Sequence, residues 1–400
     1  MTAYIAPVAD MRFVLEELAG LADLQAFPAF EDATPDLVEA ILTEAQRFAG
    51  EVLAPLNTSG DREGSRLENG VVRTPAGFKE AYRLFVEGGW NGVPFATAHG
   101  GQGLPWLVGT ALNEMWQSAN LSFSLCPLLT QGAIELLAAH GSPEQQALWL
   151  PKMVRGEWTG TMNLTESHAG TDLGALRTRA VREGSHYRIS GQKIFITFGE
   201  HDLTDNIVHM VLARIADAPS GIQGVSLFIV PKRLIGADGE PGKRNDLGAA
   251  SLEHKLGIHA SPTCVMSFGD RGGAVGYLVG EENHGIEYMF TMMNNARLGV
   301  GLQGVAISER AYQMSRAYAN ERVQGRDRSG PVKIIRHPDI RRTLLTMRAQ
   351  AEALRALAYF TAASLDRAHH HPDPASRQRE HATVELLTPV VKALSTVVGV

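Results

Sequence analysis

The chain has 400 residues, with 37 Lys plus Arg against 43 Asp plus Glu, a net charge of −6, and 44% hydrophobic residues. That length allows two or three domains and a sizeable core, and the missing surplus of cations argues against nucleic acid as the main partner. Cys126 and Cys264 are the only cysteines and lie outside any CxxC spacing, so neither a disulfide framework nor a metal site is expected. Over residues 1–17 charges interleave with apolar residues, unlike a signal peptide. No run approaches the roughly 20 apolar residues of a membrane-spanning helix. A soluble, cytoplasmic protein with no membrane contact is expected.

From the N-terminus to about Trp158 the pattern is helical. Leu37, Ile41, Ala45 and Phe48 recur at helical spacing within 36–48, with Thr34 placed as N-cap ahead of Pro35. Further helices are expected over 74–88, 106–118, 128–140 and 142–154, the last opened by Ser142-Pro143-Glu144. The glycine-rich stretch His99–Gly103 is a loop, readable equally as a connector or as part of a site. From about Gly160 to Gly280 the signal changes. β-branched or alternating runs at 177–181, 187–190, 193–198, 207–213, 225–230, 263–268 and 274–279 predict an antiparallel sheet or barrel. Residues 236–250, rich in Gly, Asp and Lys, read as an exposed excursion.

Long helices return after Gly285. One covers 286–322; the next, 338–368, has Ile340, Leu344, Met347, Ala351, Leu354 and Ala358 roughly on one face. The segment His369-His370-His371-Pro372-Asp373-Pro374 breaks the pattern. Consecutive histidine side chains diverge, so it reads as an interhelical loop rather than a metal site. A last helix starts at Arg377 and runs to Val400.

Two segments concentrate polar groups at strand ends. They are Met162-Asn163-Leu164-Thr165-Glu166-Ser167-His168-Ala169-Gly170-Thr171-Asp172 and Gly191-Gln192-Lys193-Ile194-Phe195-Ile196-Thr197. Hydroxyls and close-approaching backbone at such places suit an extended, planar, acceptor-rich cofactor. Together with His254-Lys255-Leu256-Gly257-Ile258 they resemble, in order, three motifs of the acyl-CoA dehydrogenase family. The sequence of helices, β domain and helices is also similar over essentially the whole chain. Tyr4-Ile5-Ala6-Pro7, Gly199-Glu200-His201-Asp202 and Met289-Phe290-Thr291-Met292-Met293-Asn294 resemble a longer bacterial subfamily, in which 3-(methylthio)propanoyl-CoA is one substrate. The resemblance implies an α+β fold in three parts. These are an N-terminal α-helical domain (1–158), a middle antiparallel β-barrel domain (159–280) and an incomplete C-terminal helical bundle (281–400).

Carried over residue by residue, the resemblance implies that Met162, Asn163, Leu164, Thr165, Gly170 and Thr171 line FAD. Backbone N–H groups and the Thr165 hydroxyl would serve the pyrimidine edge of the flavin. Thr171, serine in many relatives, would meet the FAD pyrophosphate or the acyl-CoA. Phe195, Ile196 and Thr197 would lie against the ring, with the Thr197 hydroxyl near N5. Most relatives have tryptophan where this chain has Phe195, so an aromatic wall remains while contact area and the indole N–H are lost. Asn294, where the family pattern has aspartate, and Arg297 would meet the CoA thioester arm. Arg322 would reach the FAD pyrophosphate of a neighbouring subunit, for which a planar guanidinium fork is suited. His337 matches a second FAD-proximal position. Sites shared in this way imply a homodimer or homotetramer.

The implied reaction is FAD-dependent α,β-dehydrogenation of an acyl-CoA thioester to the 2-enoyl-CoA. The substrate would be 3-methylthiopropanoyl-CoA or another short to medium acyl-CoA, and the acceptor an electron-transfer flavoprotein. A glutamate takes the α-proton as hydride leaves the β-carbon, and the thioester oxygen must be stabilised as enolate charge develops. In the family that glutamate follows a Gly-Gly-x-Gly signature, which does not occur before Val398-Gly399-Val400. The alternative position, immediately before Arg297, is Ala296, and Glu166 reads as structural. The catalytic base is therefore unassigned and expected beyond residue 400, in a chain truncated relative to the family. Two other readings stay open: an acyl-CoA oxidase, and a non-catalytic flavin- and DNA-associated member of the same fold.

Overall fold

The computed structural model describes residues 4–399, so the expected helix end at Val400 lies outside the described residues. Among the described residues eight α-helices precede the main sheet, two of them short (Val8–Phe13 and Leu21–Gln25); the other six are α1 (Pro35–Phe48), α2 (Ala54–Glu63), α3 (Phe78–Glu87), α4 (Trp106–Ala119), α5 (Leu121–His140) and α6 (Pro143–Val154). The main sheet follows, with β1 (Trp158–Asn163), β2 (Arg179–Glu183), β3 (His186–Thr197), β4 (Asn206–Ile215), β5 (Val225–Pro231), β6 (Leu247–Leu252), β7 (Thr263–Phe268) and β8 (Ala274–Leu278). Three long helices close the chain: α7 (Gly285–Glu321), α8 (Pro338–His370) and α9 (Pro374–Gly399).

Two helix starts fall where the sequence places their caps. Thr34 Oγ1 accepts from Leu37 N at 3.3 Å, and Ser142 with Gln145 forms a reciprocal capping box that satisfies two orphan donors. On α1 the buried stripe is Val38, Leu42, Ala45 and Phe48, while Leu37 is exposed. Phe48 meets the Trp116 ring edge-on at 5.3 Å, and that contact sets a rotation slightly past the expected face. α5 starts a full turn and more before residue 128, carrying Pro127 inside it. Burial on nearly all sides supports a turn that the missing proline N–H would otherwise weaken. Contrary to the sequence expectation, α5 and α9 are long and apolar enough to cross a membrane, although most of the apolar stretch in α5 is buried in protein.

The chain divides into two compact units that interleave along the sequence: 4–57, 103–121 and 297–399 in one, 58–102 and 122–296 in the other. In the first, α8 buries Leu344, Ala351, Leu354 and Ala358, with Leu107, Ala111 and Met115 of α4 and Leu302, Val305 and Ala306 of α7 completing the core. α7 and α9 touch through glycine. A Cβ at Gly304 would lie 2.1 Å from the Ser395 carbonyl oxygen, and one at Gly301 2.6 Å from Val391 Cγ1. Arg355 is fully buried in this unit. Its Nε donates to Glu114 Oε1 at 2.9 Å, and its Nη2 to Glu114 Oε1 at 2.6 Å and Glu309 Oε2 at 2.9 Å. The Tyr359 hydroxyl donates to Glu114 Oε2 at 2.8 Å. The histidine run is partly helical, since α8 extends to His370, and His370 and His371 pack edge-on against Phe30 and Phe27.

In the second unit the sheet order is β6-β7-β3-β8-β5-β4-β1, with β2 paired to both β3 and β4. The strands β3, β8, β5, β4 and β2 therefore close a ring. The expected antiparallel barrel holds for most strand pairs, with one departure: β1 and β2 each run parallel to β4. β1 and β4 are buried almost throughout, and such strands lack the alternation by which half-exposed antiparallel strands are recognised. Two hairpins were also hidden. Arg66–Glu68 pairs with Val71–Arg73 through a left-handed Asn69-Gly70 turn, and Val72 enters the barrel core. Arg233–Ile235 pairs with Pro241–Arg244, which with β6 gives regular structure to much of the 236–250 excursion.

Candidate cofactor site

β1 delivers Met162 and Asn163 to the loop 164–172, and β3 delivers Phe195, Ile196 and Thr197. The loop is stitched to β3, because Ile194 N donates to the Thr165 carbonyl at 2.9 Å. Glu166 and Ala169 exchange two backbone bonds of 3.0 Å, a tight turn that leaves Gly170 and Thr171 exposed. Beneath the loop lies a buried ion pair. Lys193 Nζ donates to Glu166 Oε1 and to the Leu164 carbonyl, both at 2.8 Å. Glu166 also accepts from Thr178 Oγ1 at 2.6 Å, Thr178 N at 3.0 Å and Arg177 N at 2.7 Å.

Burial works to raise the Glu166 pKa, but the Lys193 charge and these hydrogen bonds overcome it and hold the carboxyl at about 2. Burial lowers the Lys193 pKa, with Glu166 pulling the other way. Because the folded-state value of Glu166 is depressed, its contribution to stability is present above the unfolded carboxylate pKa and is lost as pH falls through the folded value. Urea midpoints should therefore drop between about pH 5 and pH 2. E166Q, less stable at neutral pH, should show a shallower acid limb; parallel curves for the two proteins would contradict this.

The aromatic wall depends on a β-bulge. Between the pairs Lys193↔Met266 and Ile196↔Cys264, Ile194 and Phe195 together face the single residue Val265. Strict alternation from the inward Lys193 would turn Phe195 inward as well. Instead Phe195 adopts φ 61°, its side chain is 59% exposed, and Ile196 packs into the barrel core.

The predicted cradle residues thus divide by what they can present. Met162, Thr165 and Thr197 are half-buried, and Phe195, Gly170 and Thr171 are exposed. Asn163 is fully buried and its amide donates to Thr161 Oγ1 at 2.9 Å. Asn163 and Ile196 can therefore offer a ligand only their backbone. Among the described residues no acceptor takes the N–H of Thr165, Gly170 or Thr171. A Cβ at Gly170 would meet only Thr165 Cγ2, at 3.9 Å. A free donor edge beside an outward-facing ring fits a flat, acceptor-rich ligand such as a flavin. Sequence reasoning passed over Lys193 and Thr178. The available signal was a lysine at an inward strand position, which requires a buried partner.

Asn294 and Arg297 lie three residues apart on α7 and so on neighbouring faces of that helix. Arg322 and His337 are brought together in the helical unit by the hairpin Val323–Asp327 with Gly330–Lys333. Ile334 N donates to the Arg322 carbonyl at 2.8 Å, and His337 Nε2 donates to the Gln324 carbonyl at 2.7 Å. The Arg322 guanidinium folds back on the Val323 carbonyl at 2.6 Å and Gln324 Oε1 at 2.9 Å. Gly325, at φ 82°, leaves room for the His337 ring, which a Cβ would approach to 3.1 Å.

A β-barrel unit with such a cradle, set in a chain otherwise helical, has the acyl-CoA dehydrogenase fold. Family models for the N-terminal, middle and C-terminal domains of acyl-CoA dehydrogenase match residues 36–157, 161–270 and 283–393. The chain belongs to the acyl-CoA dehydrogenase family. It is 52% identical over 398 residues to 3-methylmercaptopropionyl-CoA dehydrogenase of Ruegeria pomeroyi, covering 98% of this chain and 67% of that protein. It is 36% identical to a butyryl-CoA dehydrogenase of Syntrophomonas wolfei, covering 98% and 66%. The acyl-CoA dehydrogenase complexed with FAD from Bacillus anthracis shares the fold, with a TM-score of 0.72, 22% identity and coverage of 97% of this chain and 60% of that one. The chain spans about two thirds of the length of these curated relatives.

Proposed function

We propose that this chain forms the flavin- and acyl-CoA-holding part of an FAD-dependent acyl-CoA α,β-dehydrogenase. The observation that carries the reading is the free donor edge of Thr165, Gly170 and Thr171 beside the outward ring of Phe195. The 52% identity to a dehydrogenase named for 3-methylmercaptopropionyl-CoA supports a short acyl substrate of that kind. When bound, FAD supplies the hydride acceptor. The Thr165 N–H and hydroxyl would hold its polar edge, and the outward Phe195 ring would shield it from water. Thr197 would offer a hydroxyl to the flavin, and Gly170 and Thr171 would offer N–H groups to phosphate oxygens. Thr171 and Asn294 would meet the CoA arm, a role that the family resemblance gives Arg297 as well, and Arg322 and His337 would serve the pyrophosphate of a neighbouring copy. The exposed stripe Leu386, Val390, Leu394 and Val397 on α9 supports a homodimer or homotetramer. The reading also takes an electron-transfer flavoprotein as acceptor and the cytoplasm as the location.

Proton removal from the α-carbon needs a free carboxylate. Glu166 is committed to Lys193, Thr178 and Arg177, and Ala296 occupies the alternative position before Arg297. The reading accordingly finds no base among the residues that the cradle and the position before Arg297 present. Reconstitution with FAD followed by anaerobic mixing with 3-methylthiopropanoyl-CoA or butyryl-CoA tests both parts. A yellow complex whose spectrum shifts with acyl-CoA but does not bleach is expected. Failure to take up FAD would sink the functional reading, and bleaching by this chain alone would show that it holds a base after all. Peroxide formation in air by a complete enzyme would favour the oxidase.

A further inference from the structure

We infer that Lys193 is a positioning residue for the bound flavin. It acts through the Leu164–Thr165 peptide to strengthen the Thr165 N–H as a donor and so favours the reduced, more electron-rich flavin. This rests on the flavin reading above. The geometry is specific: the ammonium donates to the Leu164 carbonyl at 2.8 Å, and the N–H of that same peptide belongs to Thr165. A cation on the carbonyl oxygen of an amide draws charge away from its nitrogen, and hydrogen bonds in series strengthen one another. The neighbouring backbone groups are already used, with the Thr165 carbonyl taking Ile194 N and Glu166 pairing with Ala169. The Thr165 N–H is left without a protein acceptor. A polarised, unspent donor at the cradle edge discriminates between two ligand states that differ in electron density. Reduction adds electrons to the flavin, so the reduced form gains more from it.

The competing account makes the Lys193–Glu166 pair scaffolding alone. The two accounts separate in the pair of proteins K193M and K193M/E166Q. K193M should bind reduced FAD more weakly relative to oxidised FAD by about tenfold, a fall in midpoint potential of about 30 mV for a two-electron couple. It should also be less stable, because Glu166 is left buried without its cation. K193M/E166Q should recover much of the stability while keeping the lowered potential. The readouts are urea midpoints and dye-linked potentiometry of the FAD-loaded proteins. An unchanged potential in K193M, or a double variant whose potential returns to the wild-type value, overturns the inference while leaving the flavin reading intact. If K193M does not fold, the potential of the double variant decides alone. Wild-type protein that takes up no FAD overturns the flavin reading and the inference with it.

Discussion

Replacing Arg355 with methionine is expected to lower the unfolding free energy of the helical unit by about 3–5 kcal/mol. Methionine fills most of the volume, so the loss is electrostatic rather than a cavity. Glu114 accepts from Arg355 and from the Tyr359 hydroxyl, and Glu309 shares the same guanidinium; all four residues are buried. Without the cation, two carboxylates face one another in a core that solvates neither. Against a domain stability of about 5–15 kcal/mol, that loss is a large fraction of the total. Urea unfolding should show a lower midpoint with an unchanged slope. E114Q/E309Q in the R355M background should recover part of the loss, because it removes the orphaned charges. A single variant as stable as wild type would mean that solvent reaches the cluster.

Gly304→Ala should detach α9 even though alanine is the better helix former. The exchange favours an isolated helix by about 1 kcal/mol. The new methyl carbon, however, would stand 2.1 Å from the Ser395 carbonyl oxygen and 2.3 Å from its carbon. Backbone atoms cannot turn aside as a flexible side chain can, and overpacking a tight core costs about 1–3 kcal/mol or more. The clash therefore outweighs the propensity gain. Hydrogen exchange should show the amides of α9 losing protection while those of the β unit are unchanged. Unaltered protection in α9 would refute the close crossing.

What the sequence reveals and conceals follows from periodicity. Thr34 and Ser142 mark their helices because capping is local chemistry, read from three or four adjacent residues. The stripe on α8 is legible over its first half, where Leu344 and Ala351 are buried amid exposed residues, whereas from Leu354 onward burial spreads around the helix. Strands β1 and β4 escape recognition as a parallel pair, since burial on both faces erases alternation. The cradle motifs identify Thr165 and Phe195, yet the sequence gives no sign that Asn163 turns inward or that Ile196 belongs to the core. Those outcomes depend on a one-residue bulge against Val265, and a register shift leaves no trace in composition.

That bulge also bears on how the site can change over generations. On a regular strand, the size of a ring at position 195 would be constrained by the core beneath it. Here the ring projects away from the ladder, and Ile196 keeps the inward place. Phenylalanine and tryptophan can therefore exchange at this position without disturbing the barrel. The wall beside the cofactor becomes a part that a lineage can retune while the framework stays fixed.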